Sequence, residues 1–510
     1  MEQGNDVYEN QELPIAASDV DCILLTHAHI DHSGLIPLMY VNGFRGQVYS
    51  TSATAQLCEI MLRDSAHIQM FEAEWRNRKA ARSGGKLKEF VPLYDMDAAV
   101  NVCKQFVGCE YDRVYDIAEG IKIRFTDVGH LLGSASIEVW ATEKTENGDV
   151  TEKIVFSGDI GNINKPIIKD PKHVRDADYV VMESTYGNRS HGGTPNYVED
   201  LTDIFKRTFE RGGNVVIPSF AVGRTQELLY IIRKIKEDNL VGRDFDVYMD
   251  SPLAIEATNI FIKNVESCFD DEAVELVRKG INPLSFPGLK YATTGDESKQ
   301  INFDPNPKVI ISSSGMCEAG RIRHHLKHNL WRPECTIVFV GYQAVGTTGR
   351  IIVDGAEEIK LFGEPIQIKA EIVQLKGSSG HADKDGLLCW INAFDTKPKK
   401  VFVVHGEDSV CDEFTECLKE EYGYDAMAPY TGGSYDLIAD RVISEGVKER
   451  KTRRTTSTQR GKTVFDRLVA AGKRLMTVIT HNEGGTNKDL AKFTDQINAC
   501  LLYTSPSPRD

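Results

Sequence analysis

Three histidines and an aspartate crowd into six positions of the stretch LLTHAHIDHSGLIP, residues 24–37: His27, His29, Asp31 and His32. Neutral imidazole and carboxylate are the donors zinc takes in hydrolytic sites that keep one position open. His27 and His29 alternate and can face one side. Asp31 and His32 can then face a second centre about 3.5–4 Å from the first, the separation found in two-ion hydrolytic sites. So many ligand-competent side chains rarely gather without a use. A lone histidine at a strand end is more often structural, so context must decide the remaining candidates. His130 in DVGHLLGSA, Asp159 in FSGDIGN, His381 in GSSGHADKDG and His405 in VVHGED each follow an apolar run and precede a small-residue turn. His67, His173, His191, His324, His325, His328 and His481 lack that setting and read as surface or structural residues.

Donors so scattered converge only if several strands end at one edge. Apolar runs at 20–26, 121–128, 135–140, 154–158 and 178–183 read as buried strands, and 53–79 and 95–107 carry helical spacing. Strands with intervening helices predict a layered α/β architecture. After Tyr186 the rhythm changes. A strand at 213–220, a helix at 221–238 and strand–turn units at 244–252, 307–315 and 335–343 predict a parallel sheet in a separate domain. From about Ala370 short strand–loop units return. At 510 residues two or three domains are expected.

With 41% hydrophobic and 26% charged residues the chain reads as globular. No run of some eighteen apolar residues occurs, so no membrane partner is expected. The eleven cysteines contain no C-x-x-C pair, which fits reduced thiols and a cytoplasmic location. A net charge of −15 does not steer nucleic acid to the molecule, so any such binding needs a local basic groove. The turns SSSGM (312–316) and GSSG (377–380) are suited to offering N–H groups and hydroxyls to phosphate. That makes Ser313, Ser314 and Ser379 candidate phosphate contacts, with Arg224 and Arg321 (beside Arg323) as candidate groove lining.

THAHIDHSG, GHLLGSA and SGDIGN resemble motifs of the metallo-β-lactamase-fold hydrolases, which implies an αββα sandwich holding two divalent ions, expected to be zinc. Carried over residue by residue, one ion takes His27, His29 and His130. The other takes Asp31, His32 and His405, with Asp159 bridging. Nearly half the chain separates Asp159 from His405, so a domain must be inserted between them. VMESTYGNR, GSSGHAD and VVHGE resemble motifs A, B and C of the β-CASP nucleases, and IPSFAVGRTQELL and ISSSGMCEAGR match the same family. The resemblance covers roughly residues 1–435. It is nearest the bacterial and archaeal relatives of the mRNA 3′-end cleavage subunit, with ribonuclease J more distant. It implies hydrolysis of RNA, or of single-stranded DNA, by endonuclease or 5′-exonuclease action. It also implies a catalytic set of Asp31 orienting water, His381 as general acid and Glu183 holding His381. A homodimer is a family expectation. A catalytically impaired RNA-binding subunit and a small-ester hydrolase are the competing readings.

The expected division is a metallo-β-lactamase domain at 1–187 and 371–440 around a β-CASP domain at 188–370. A basic linker and helical tail follow at 441–498, and 499–510 is expected to be a non-native scar. The chain opens at MEQGN, which resembles the interior of the family's first motif region. Roughly thirty to forty N-terminal residues, with edge strands, are therefore expected to be missing.

Overall fold

The computed structural model describes residues 15–82, 90–146, 148–190, 192, 196–375 and 379–447, and in the tail 472, 475–476, 479–480 and 487–504. Two sheets face each other in the first unit. One has three parallel strands in the order Cys22–Leu24, Gln47–Thr51, Phe106–Cys109. The other has seven, in the order Ala426–Met427, Lys400–Val404, Tyr179–Glu183, Gly148–Phe156, Ala135–Thr145, Ile121–Asp127, Val114–Ala118. Between them Ile123, Phe125, Ile137 and Val139 of the larger sheet pack with Leu24, Tyr49 and Cys109 of the smaller. Helices Ile36–Val41, Ser52–Arg82 and Met96–Cys103 cover the outer face of the small sheet. Lys384–Ile391 and Asp408–Glu420 cover that of the large one, burying Trp390, Ile391 and Phe414 on Val155, Val180 and Val401. This is the expected αββα sandwich.

The direction of the strands positions the site. Strands 148–156, 179–183 and 400–404 are mutually parallel. Strand 121–127 is antiparallel to 135–145, which is antiparallel to 148–156, so it runs the same way as the first three. All four therefore end at one edge. The amide of Ala135 donates to the Thr26 carbonyl, which brings the small sheet's loop to that edge too.

The inserted domain is a parallel sheet of six strands: Leu289–Tyr291, Asp246–Asp250, Lys308–Ser312, Val215–Pro218, Thr336–Phe339 and Glu371–Gln374. Val215 and Ile217 bury against one helical layer and Val216 against the other, as period-2 side chains on a doubly covered sheet must. The last strand corrects the expected boundary: 371–374 pairs with 336–339, so the insert's sheet extends four residues beyond 370. Apolar alternation marks a strand but not its lateral partner.

The hairpin Ser434–Asp436 with Arg441–Ser444 follows the second part of the sandwich. Tyr179 ties it down by donating to the Leu437 carbonyl at 2.6 Å. A helix at Asn487–Thr504 runs into the segment expected to be a scar. Most of the basic linker and helical tail expected at 441–498, residues 505–510 and the opening MEQGN lie outside the described residues.

Candidate metal centre and acid–base pair

Each strand end delivers a donor. Leu24 is followed by the loop carrying His27 and His29, and Asp31 and His32 lie on the short helix Ile30–Ser33. Strand 121–127 leads to His130 and strand 148–156 to Asp159. The register Val404↔Glu183 sets Glu183 beside the strand that His405 immediately follows. Gly158 makes the SGD turn feasible: its φ is 59°, and a Cβ there would meet Thr26 at 2.9 Å. His405 itself holds φ 52°, a left-handed conformation sparsely populated by residues with a side chain, which aims its ring back at the other donors.

His27, His29, His130 and Asp159 place their donor atoms within 4.8 Å of one another, and so do Asp31, His32 and His405. Asp159 links the sets. One carboxylate oxygen lies 3.3 Å from His27 Nε2 and 3.5 Å from His130 Nε2. The other lies 3.2 Å from His32 Nε2 and 3.5 Å from His405 Nδ1. His29 Nδ1 stands 3.1 Å from both His27 Nε2 and His130 Nε2. Donors about 2.0–2.1 Å from a tetrahedral zinc lie about 3.4 Å apart, so this spacing suits a shared cation. The buried Asp159 Oδ1 accepts no hydrogen bond, an uncompensated position that a cation would satisfy. The donor set therefore fits divalent metal binding.

Outer contacts fix the rings. His130 Nδ1 donates to the Gly380 carbonyl at 3.2 Å, turning Nε2 to the cluster. Thr26 Oγ1 lies 3.2 Å from His27 Nδ1, and Thr185 Oγ1 lies 3.2 Å from His405 Nδ1. Such contacts set tautomer and orientation in metal sites. Burial pushes the imidazoles of His27 and His130 below their ordinary range, and that of His29 to about 3, which keeps them neutral and able to ligate. Burial works against charge on Asp31 and Asp159 as well, but neighbouring imidazoles outweigh it and hold both carboxyls below the usual range.

Beside the cluster, His381 Nδ1 donates to Glu183 at 3.1 Å. Glu183 is 1% exposed, and its other oxygen accepts from the Ile160 amide at 2.5 Å. Burial lowers the His381 pKa, yet the Glu183 carboxylate and then Asp159 outweigh it and raise it above the ordinary value. Asp383 caps the following helix by accepting from Gly386 N, and Ser379 Oγ accepts from His381 N, so the loop is pinned on both sides.

The expected phosphate contacts fare differently. Arg321, expected to line a groove, is tied into the insert. It donates to Asp250 Oδ1 at 2.7 Å and to the carbonyls of Ala292 and Thr293, which takes three of its five N–H donors. Arg224 pairs with Glu227. Ser313 donates to Ser251 Oγ at 2.8 Å, and Ser314 accepts from Glu318 N. His325, expected to be structural, is fully buried between Asp250 and Asn302. Lys165, which no motif marked, donates to the His130 carbonyl at 2.9 Å.

Comparison with known proteins agrees with this geometry. The Beta-Casp domain family matches residues 225–352, and the family described as Zn-dependent metallo-hydrolase RNA specificity domain matches 365–429. A ribonuclease of Thermus thermophilus is 34% identical over 390 residues, covering 76% of this chain and 82% of that protein. An RNase J-like protein of Methanocaldococcus jannaschii is 31% identical over 392 residues, with the same two shares. The transcription termination factor FttA of Methanosarcina mazei is 32% identical over 421 residues, 81% of this chain but only 62% of the factor's own length.

Proposed function

This chain belongs to the β-CASP family of metallo-β-lactamase-fold RNA hydrolases, and on that premise we propose that it cleaves RNA phosphodiester bonds at the Asp159-centred cluster. The observation that carries the reading is the convergence of six donors around the buried Asp159 carboxylate, with the His381–Glu183 pair beside it. His27, His29 and His130 would hold one ion and Asp31, His32 and His405 the other, with Asp159 between them; zinc suits this imidazole-rich set. Bound ions supply Lewis acidity, lowering the pKa of water between them and offsetting charge that builds on the phosphate.

The chain's own residues do the rest. Asp31 accepts a hydrogen bond from the attacking water and orients it in line with the scissile bond. His381, protonated by virtue of Glu183, gives its proton to the departing 3′ oxygen as the P–O bond breaks. Products carry a 5′-phosphate and a 3′-hydroxyl. Full retention of donors and of the acid–base pair argues against a catalytically silent RNA-binding subunit, and the inserted domain argues against a small-ester substrate. The ten described cysteines are free, and no described helix is long and apolar enough to cross a membrane.

The test is metal analysis together with cleavage of end-labelled RNA by the wild type and Asp159→Ala. The variant should lose bound metal and cleavage together, and undiminished cleavage would sink the mechanism. Mapping products from 5′-triphosphate and 5′-monophosphate RNA then separates endonuclease from 5′-exonuclease action.

A further inference from the structure

The segment 165–170 leaves the sandwich just after Asp159 and is gripped by the insert. Asp270 N donates to the Ile167 carbonyl at 2.7 Å, Lys169 N donates to the Cys268 carbonyl at 3.3 Å, and Ile168 forms an antiparallel bridge with Phe269. Ile167 is 1% exposed and holds φ 82°, a left-handed conformation that is a marked outlier for a β-branched residue. Strain of this kind persists only where the surroundings over-determine the backbone.

Lys165 begins this strap. Its ammonium lies 3.1 Å from Glu227 Oε1 on the insert's helix Arg224–Glu237 and 2.9 Å from the His130 carbonyl. Side-chain exposures are 11% for Lys165 and 9% for Glu227, so little water screens the pair. Arg224 engages the other Glu227 oxygen. A Cβ built on Gly380 would lie 3.9 Å from the same ammonium, and the Gly380 carbonyl accepts from the His130 ring. One cation thus contacts the peptide that carries a candidate ligand and lies on the side of Gly380 from which a Cβ would project, beside the carbonyl that orients that ligand's ring.

We infer that Lys165 and Glu227 are positioning residues through which the inserted domain sets the His130 peptide and so the metal centre. This rests on the functional reading above. Because Lys165 touches no donor atom of the cluster, its effect runs through His130, and an outer contact of this kind changes metal affinity about 10–100-fold.

The experiment measures zinc affinity by chelator competition, RNA cleavage and thermal unfolding for the wild type, Lys165→Met, Lys165→Arg, Glu227→Gln and Lys165→Met/Glu227→Gln. The double variant removes both charges, so neither is left buried without its partner. Lys165→Met and the double variant should bind zinc at least tenfold more weakly, Glu227→Gln should shift the same way, and Lys165→Arg should restore most of the affinity. Wild-type zinc affinity in a folded double variant overturns the inference alone. A wild-type chain that neither binds zinc nor cleaves RNA overturns the functional reading beneath it.

Discussion

Among the site's residues, the proposed mechanism gives His381 and Glu183 a role distinct from the ligands. His381 points Nδ1 at a carboxylate and is not needed to complete either donor set. His381→Ala should lower kcat about 10²–10⁴-fold, the usual worth of a positioned acid, while bound metal stays at the wild-type level. Loss of metal in that variant, measured by atomic absorption, would instead make His381 a ligand. Asp127 gives a second residue-scale test, on stability. Burial raises its carboxyl to about 7, against which the Gly129 amide and two lysines work only in part. The folded chain therefore keeps a proton there that the unfolded chain loses above about pH 4, and this group's share of stability falls as pH rises from about 4 to 7. Asp127→Asn, which keeps an acceptor for Gly129 N, should flatten the slope of unfolding free energy across that window. An unchanged slope in denaturant melts would place the proton elsewhere. The ligands were legible because their types and crowding are themselves a signal. Lys165 was not: a lysine before a proline in a loop has no pattern, and only the folded chain sets it under His130.

Elements decide what a motif residue does. Arg321 sits just before the helix Ile322–Asn329, and there it locks that helix to the end of strand Asp246–Asp250 through a carboxylate that is 0% exposed. Arg321→Ala should therefore destabilise the insert by about 3 kcal/mol, as removal of one partner of a buried pair does, and leave KM for RNA nearly unchanged. The reverse result, a raised KM at unchanged melting temperature, would restore the arginine to the substrate groove. From sequence the two roles look alike, since the distinction lies in Asp250, 71 positions away in the chain but adjacent in the fold. Apolar strands beside the candidate ligands were readable, as at Ile121–Asp127 and Tyr179–Glu183. Gln47–Thr51 and Phe106–Cys109 were not, because QVYST and FVGC interrupt their apolar residues with polar or small ones and leave no apolar run.

At the scale of the molecule, the proposed ions would join segments that the insert holds far apart in sequence. Anything bound only by the folded state stabilises it, by about 4 kcal/mol at a thousandfold excess over Kd. Stripping metal with a chelator should therefore lower the melting temperature measurably, and zinc should restore it; equal melting curves would mean that the centre contributes nothing to holding the segments together. A parallel pairing between Tyr179–Glu183 and Lys400–Val404 also sets an order of events in time. No growing chain can complete the proposed centre until residue 405 has left the ribosome, because that donor follows the strand Lys400–Val404. At synthesis rates of about 5–20 residues per second, translation of the insert alone occupies on the order of ten to forty seconds. Throughout that interval the unfinished protein remains tethered to the message encoding it. With the last proposed donor beyond the insert, the centre can form only after the whole insert has been made.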